Sequence, residues 1–201
     1  MPRRNRSRPD RQRAAIANEA ARLMQEHGLN DFRSAKEKAG ERLGLDDRGA
    51  LPSNQEIELA ITERNRIFQA EAHEEIIDVL RGAALVMMRL LAEFDPRLVG
   101  PVLAGSAAEH SAIDLHLFSD APEAVGGALE WLGIPARAVQ HRLRIRRDES
   151  ELFPGYRFRS SEFEFCAIIF RERGRGNAPL SAVDGRPMRR ATAKDVEALL
   201  G

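Results

Sequence analysis

The chain has few of the residues on which several protein classes depend. Of its 201 residues, one is cysteine, one is tryptophan and one is tyrosine. The single cysteine, Cys166, excludes an internal disulfide framework and a zinc site of the finger type. With so few tryptophan and tyrosine rings, the chain lacks a platform on which the bases of single-stranded nucleic acid could stack.

Long apolar runs and an excess of one charge are also missing. The longest uninterrupted apolar run, residues 83–88, is too short to span a bilayer. The arginine-rich start is not followed by an apolar segment, as it would be in a signal peptide. The 31 basic and 31 acidic side chains cancel, so no global field attracts the protein to nucleic acid or to a membrane. These absences predict a globular, cytoplasmic protein with no membrane partner.

The chain divides by composition into three parts. Residues 1–13 carry six arginines and almost nothing apolar, which predicts a disordered basic tail. Residues 14–70 have apolar side chains near a period of 3.6 and predict a helical N-terminal region. Within it, Ser53 and Glu56 form the pattern of a capping box at the start of a helix. Residues 71–201 begin with a strongly apolar helix and predict an α+β domain.

Beyond Pro96 the pattern becomes extended. Residues 98–103, 113–118, 139–145 and 156–170 alternate or run apolar as strands do, and residues 122–132 and 192–200 predict short helices. The expected fold class is α+β, a helical N-terminal region followed by a small mixed β-sheet flanked by helices.

The segment with the clearest chemical pattern runs from Val102 to Phe118. A strand ends in Gly105-Ser106, a short polar loop follows, and a second strand carries Asp114 and His116. Glycine lets the backbone approach a phosphate, to which the serine hydroxyl can donate. Because side chains alternate along a strand, Ala112, Asp114 and His116 share one face. An acid and an imidazole beside such a turn can hold a divalent metal over a phosphate.

This segment resembles the nucleotidyltransferase superfamily, whose members share a strand, a Gly-Ser turn and a strand with two alternating acids. The resemblance covers residues 76–170 and depends mainly on Gly105-Ser106 and on the run from Ser111 to His116. It implies that Gly105 and Ser106 bind the phosphates of a nucleoside triphosphate. It also implies two magnesium ions, held by the paired acids and by a third acid on a later strand.

The chain can be aligned with the family pattern in two registers, and it departs from the pattern in each. If Ser111 to Asp114 matches the family's Ser-Asp-Ile-Asp, Ala112 replaces the first metal ligand and Asp114 remains. If Asp114 is the first acid, His116 replaces the second, and Asp114 with His116 would hold the metal. Magnesium prefers oxygen ligands, so a histidine indicates manganese, a weakened site or no catalytic metal.

Two further residues complete the expected site. Glu164 alternates with Phe163 and Phe165 and is the choice for the third acid, although exposed glutamates on the wet face of an edge strand explain the pattern equally well. Arg144 is one of three alternating arginines between residues 142 and 146 and is expected to contact the triphosphate. Charge balance on an exposed strand face is the alternative.

Three hypotheses of function follow. The first is an enzyme that uses Mg²⁺ or Mn²⁺ to transfer a nucleoside monophosphate from a triphosphate to an unidentified acceptor, with Asp114, His116 and Glu164 as catalytic residues. The second is a catalytically degenerate fold of the same family that binds a nucleotide or a partner, which Ala112 and His116 favour. The third is a regulatory protein in which the helical part, roughly the first ninety residues, binds a partner and the α+β unit is a scaffold.

Overall fold

A computed structural model describes residues 8–27, 29, 31–45, 51–68 and 70–201. The described residues form two compact units. One comprises the described residues up to Ala70 together with residues 182–184, and the other comprises Glu71–Ser181 and Gly185–Gly201. The predicted α+β class is confirmed, because a helical first part precedes a mixed five-stranded sheet with helices.

The first unit contains three helices, α1 (Arg8–His27), α2 (Phe32–Leu43) and α3 (Asn54–Phe68). The spacing of Ile16, Ala20 and Leu23 buries one face of α1 in a core shared with Ala35, Ala39, Ile57 and Ile61. The predicted capping box is present, since the Ser53 hydroxyl accepts from the Glu56 amide at 3.1 Å and the Glu56 carboxylate accepts from the Ser53 amide at 2.7 Å.

Helix α1 begins earlier than the sequence pattern placed it. It starts at Arg8, so residues 8–13 of the expected disordered tail are helical. Asp10 lies in the first turn, where a negative charge stabilises the helix dipole. Residues 1–7 of that tail lie outside the described residues.

The second unit opens with α4 (Ala70–Leu90), from its second residue onward, and contains every described strand. These are β1 (Arg97–Val99), β2 (Ile113–Phe118), β3 (Ala136–Arg146), β4 (Glu149–Ser160) and β5 (Phe163–Phe170). Helices α5 (Gly100–Ala104), α6 (Pro122–Trp131) and α7 (Ala193–Leu199) complete it, with short 3-10 turns at Ala92–Phe94 and Glu172–Gly174. No described helix is both long and apolar enough to cross a membrane.

Two predicted strands have different boundaries in the structure. The expected strand at residues 98–103 is wrong beyond Val99, because α5 begins at Gly100, which has a φ of +71°, and Pro101 lies in its first turn. The run at residues 156–170 is divided between β4 and β5 by a turn in which Ser161 has a φ of +54°.

The sheet has the strand order β1-β2-β5-β4-β3, and β2 with β5 is its parallel pair. Ile113, Leu115 and Leu117 of β2 are fully buried in the main core, together with residues of α4, α6 and α7. Asp114, His116 and Phe118 therefore lie on the opposite face, as the alternation predicts. That face has a smaller core around Phe118, Cys166, Ile168 and Phe170.

Candidate functional site

The second face of the sheet brings several polar side chains together where β2 begins. Asp114 is directly opposite Cys166 of β5, and Cys166 is opposite Arg157 of β4. Directly opposed residues of neighbouring strands lie on the same face, so these three side chains form a row across the sheet. Glu164, two residues before Cys166, lies on the same face.

Asp114 has an unusual environment for an acid. An added Cβ on Gly100 would lie 2.6 Å from the Asp114 Oδ2, so the carboxylate fits only because residue 100 is glycine. Burial raises the pKa of Asp114 from 3.8 to about 6, and the nearby positive charge of Arg157 partly opposes that rise. Near neutral pH this carboxyl group can therefore exchange a proton, as a general base or acid does.

Arg157 is the cation of this row. Its Nη2 lies 3.5 Å from the Glu164 Oε1, and both side chains are about half exposed. Ile113 is opposite Phe165, so Glu164 lies at the level of Ala112, where β2 begins. Asp114 and Glu164, two of the residues expected to bind metal, thus both lie near the guanidinium group of Arg157.

An open cleft of about 440 Å³ adjoins this row. It lies between the loop before β2 and the turn between β4 and β5. Its lining residues are Glu109, His110, Ser111, Arg157, Phe158, Arg159, Glu162, Phe163 and Glu164. The lining offers guanidinium donors and carboxylate acceptors in one place, so it can contact a ligand that carries both phosphate oxygens and hydroxyl or amino groups.

Gly105 and Ser106 lie just before this loop and do not line the cleft. Gly105, with a φ of +79°, caps the C-terminus of α5, and its carbonyl oxygen accepts from the His73 Nε2 at 2.9 Å. The Ser106 amide donates to the Pro101 carbonyl at 3.0 Å, and Ser106 is 8% exposed. Both expected phosphate contacts are therefore engaged in ending a helix.

His116 lies outside the cleft as well. It is fully buried, and its Nδ1 accepts a hydrogen bond from the Arg190 Nε at 3.0 Å. Burial lowers the pKa of His116 to about 3, and the positive charge of Arg190 adds to that effect. The ring is therefore a neutral acceptor toward Arg190, and it does not join Asp114 as a metal ligand at Nδ1.

Arg144 is far from the other expected site residues. It lies on β3, which is separated from β2 by β5 and β4. In the register of β3 with β4, His141 is opposite Phe153, and Phe153 shares the face of Arg157. Arg144 is an odd number of residues from His141, so it points to the opposite face. The structure does not bring Arg144 to the phosphate position expected for it.

Cys166, the single cysteine, is buried and lies beside a histidine. Its Sγ lies 3.3 Å from the His141 Nε2. Burial raises the pKa of the thiol to about 12, and the negative charge of Asp114 adds to the rise. A thiol with so high a pKa is not a thiolate nucleophile.

The site does not fit the pair of magnesium ions that the resemblance implies. Within the described part of the chain, no three His, Cys, Asp or Glu residues are placed to hold a metal ion. His116 is bonded to Arg190, and Arg157 lies against Glu164.

Two arginines that matter here were missed in the sequence. Arg157 alternates with Tyr156 and Phe158 along β4, so the period of two could have placed it on a polar face. Arg190 contacts His116 across 74 residues of chain from within a loop, and no local pattern indicates that contact. The chain matches no protein-family model, no curated protein and no solved structure.

Proposed function

We propose that the second unit is a nucleotidyltransferase-like binding module that holds a nucleotide in the cleft beside Ser111 and Glu164 and does not transfer it. One observation carries this proposal. Arg157 provides a positive charge beside Glu164 and near Asp114, where the resemblance calls for metal ions. A fixed guanidinium can hold phosphate but cannot take the place of two metal ions in an in-line transfer.

The lining of the cleft supports a nucleotide as the ligand. The guanidinium groups of Arg157 and Arg159 are donors suited to phosphate oxygens. Ser111 and the carboxylates of Glu162 and Glu164 can accept hydrogen bonds from ribose hydroxyls or base amino groups. The cleft volume of about 440 Å³ is within the range of small-molecule sites.

Calorimetry tests this proposal directly. ATP, GTP, CTP and UTP are titrated into the protein in EDTA, then with Mg²⁺ and then with Mn²⁺. At least one nucleotide should bind in EDTA, and Arg157→Gln should weaken that binding about tenfold or more, because a hydrogen bond to a charged group is lost. Arg142→Gln is the matched control, since Arg142 is exposed on the other face of β3. Equal weakening in both variants would contradict the assignment to the cleft.

Metal-dependent transfer of a nucleoside monophosphate is the competing proposal. One observation favours the transfer proposal. Glu164 lies at the level of Ala112, the position at which the family carries its first acid. Pyrophosphate release from a nucleoside triphosphate is measured with and without Mg²⁺ or Mn²⁺. Metal-dependent release by the wild-type protein that Asp114→Asn abolishes would overturn the binding-module proposal. Release that appears only in Ala112→Asp would support the binding-module proposal, since the variant would have regained the missing acid.

A further inference from the structure

A second polar cluster lies at the opposite ends of the central strands. β2 and β5 run in parallel and end side by side at Phe118 and Phe170. Three guanidinium groups surround the Phe118 ring, with their Cζ atoms 5.9 Å (Arg97), 5.7 Å (Arg175) and 5.1 Å (Arg190) from its centroid. We call Arg97, Arg175 and Arg190 the arginine cluster.

The cluster is separate from the cleft described above. The cleft adjoins Glu164, whereas the cluster surrounds the end of the same strand at Phe170. Six residues of strand at about 3.3 Å each place these positions roughly 20 Å apart.

Acidic groups only partly balance the charge of the cluster. Asp95 binds two of the arginines, since its Oδ2 lies 2.9 Å from the Arg97 Nη2 and 3.0 Å from the Arg175 Nε. Glu172 is 3.6 Å from the Arg175 Nη1. Within the described residues, no carboxylate pairs with Arg190. Asp195 also interacts electrostatically with Arg97, and Asp120 accepts from the Glu172 amide at 3.3 Å, so the charge of the cluster that lacks a carboxylate partner is that of Arg190.

Arg190 has neutral partners instead. Its Nε donates to the His116 Nδ1 at 3.0 Å, and its Nη1 donates to the Arg175 carbonyl at 3.0 Å. Its Nη2 is buried and has no hydrogen-bond partner among the described residues. Burial lowers the pKa of Arg190 to about 10, and the positive charge of Arg97 adds to the effect. A partly buried cation with a spare donor is stabilised when an anion binds beside it.

The surrounding chain adds to the positive charge. Arg171 and Arg173 precede Arg175, and Arg189 precedes Arg190; all three added arginines are exposed. Guanidinium groups prefer an oxyanion that accepts several hydrogen bonds at once, and a phosphate group has the charge and the oxygens for this.

We propose that the arginine cluster is a binding site for a phosphate group, either inorganic phosphate or the phosphate of a monoester. The Phe118 and Phe170 rings form its floor, and Arg97, Arg175 and Arg190 supply the donors. The site does not depend on the nucleotide cleft.

The test is calorimetry with inorganic phosphate at constant ionic strength, with chloride as the compensating salt. The wild-type protein should bind phosphate, and Arg175→Gln should weaken binding about tenfold. Arg175 is 45% exposed in its side chain, so this variant should keep its fold. Arg142→Gln removes the same charge at the far edge of the sheet and should bind as the wild type does.

Two further arms complete the experiment. Glycerol phosphate in place of inorganic phosphate distinguishes a monoester site, which binds it equally well or better, from a site for free phosphate. Arg157→Gln removes a donor of the cleft only, so the phosphate binding that Arg175→Gln weakens should persist in Arg157→Gln, which separates this site from the cleft. Absence of phosphate binding by the wild type, or equal weakening in Arg175→Gln and Arg142→Gln, would overturn the proposal.

Discussion

At the scale of single residues, Asp114 has the environment with the clearest measurable consequence. Its pKa in the folded protein is about 6, against 3.8 for an ordinary aspartate, because burial disfavours the charged form. Ionising this group therefore costs more in the folded chain than in the unfolded one. The wild-type protein should lose stability from this residue as the pH rises from about 4 to about 6, and the full loss should remain at higher pH.

Asp114→Asn removes that cost. We expect its unfolding free energy, relative to wild type, to rise between pH 4 and pH 6 and to level off above pH 7, by on the order of 1–3 kcal/mol. Urea unfolding at several pH values measures the difference. Asp148→Asn, in the exposed turn between β3 and β4, is the control for the loss of one aspartate charge. A constant difference between Asp114→Asn and wild type would contradict the effect of burial.

At the scale of elements, the last described helix depends on the hydrogen bonds at its first turn. Helix α7 begins with a capping box in which the Thr192 hydroxyl accepts from the Asp195 amide at 3.2 Å and the Asp195 Oδ2 accepts from the Thr192 amide at 2.8 Å. The helix places Val196 in the main core with no exposed surface. A lost cap should therefore reduce the stability of the unit and not only that of the helix end.

We expect Thr192→Ala to lower the unfolding free energy by about 1 kcal/mol. Thr192→Ser keeps a hydroxyl at the same position and should retain most of the stability. Chemical denaturation of the two variants beside wild type measures both effects. Equal losses in alanine and serine would assign the effect to the threonine methyl group.

Local patterns predicted some of the elements well, and the reason is physical. The alternation of Ile113, Leu115 and Leu117 identified β2 and its two faces, because burial of one strand face leaves a period of two in the sequence. The run at residues 98–103 was misread because both a buried strand and a short buried helix are continuously apolar. The positive φ of Gly100 separates the two elements, and the Asp114 carboxylate packs against this glycine.

The candidate site was less accessible to sequence reasoning than the elements were. Asp114 and Glu164 could be chosen from their strands, because alternation alone assigns their faces. The roles of His116 and Arg144 depend on distant pairing. His116 is occupied by Arg190, 74 residues away, and Arg144 is carried to the far edge by the order of the strands. Strand order is a property of the complete sheet, so no local window contains it.

At the scale of the whole molecule, each compact unit has its own hydrophobic core. Ile57 is fully buried among the helices of the first unit, and Leu115 is fully buried under the sheet of the second. Removing a buried aliphatic side chain costs about 2–5 kcal/mol in the core that loses it. We expect Ile57→Ala to accelerate amide hydrogen exchange in α1–α3, and Leu115→Ala to accelerate it in the strands of the second unit.

Hydrogen exchange followed by mass spectrometry measures both variants by segment. Each variant serves as the control for the other, because both remove a similar buried volume. Uniform acceleration across both units in either variant would contradict the presence of two separately stabilised cores.

The position of β3 at one end of the strand order has a consequence for the behaviour of the protein in concentrated solution. A terminal strand of 11 residues offers backbone groups to which a strand from another molecule could add, although the Arg144 carbonyl already accepts from the Leu180 amide at 2.6 Å. Arg142 and Arg144 put like charges along this border, whereas Arg146 is paired with Glu149 at 3.2 Å. We expect two such borders to repel each other on approach, so that Arg144, which the sequence suggested as a contact for a triphosphate, would hinder aggregation through this strand.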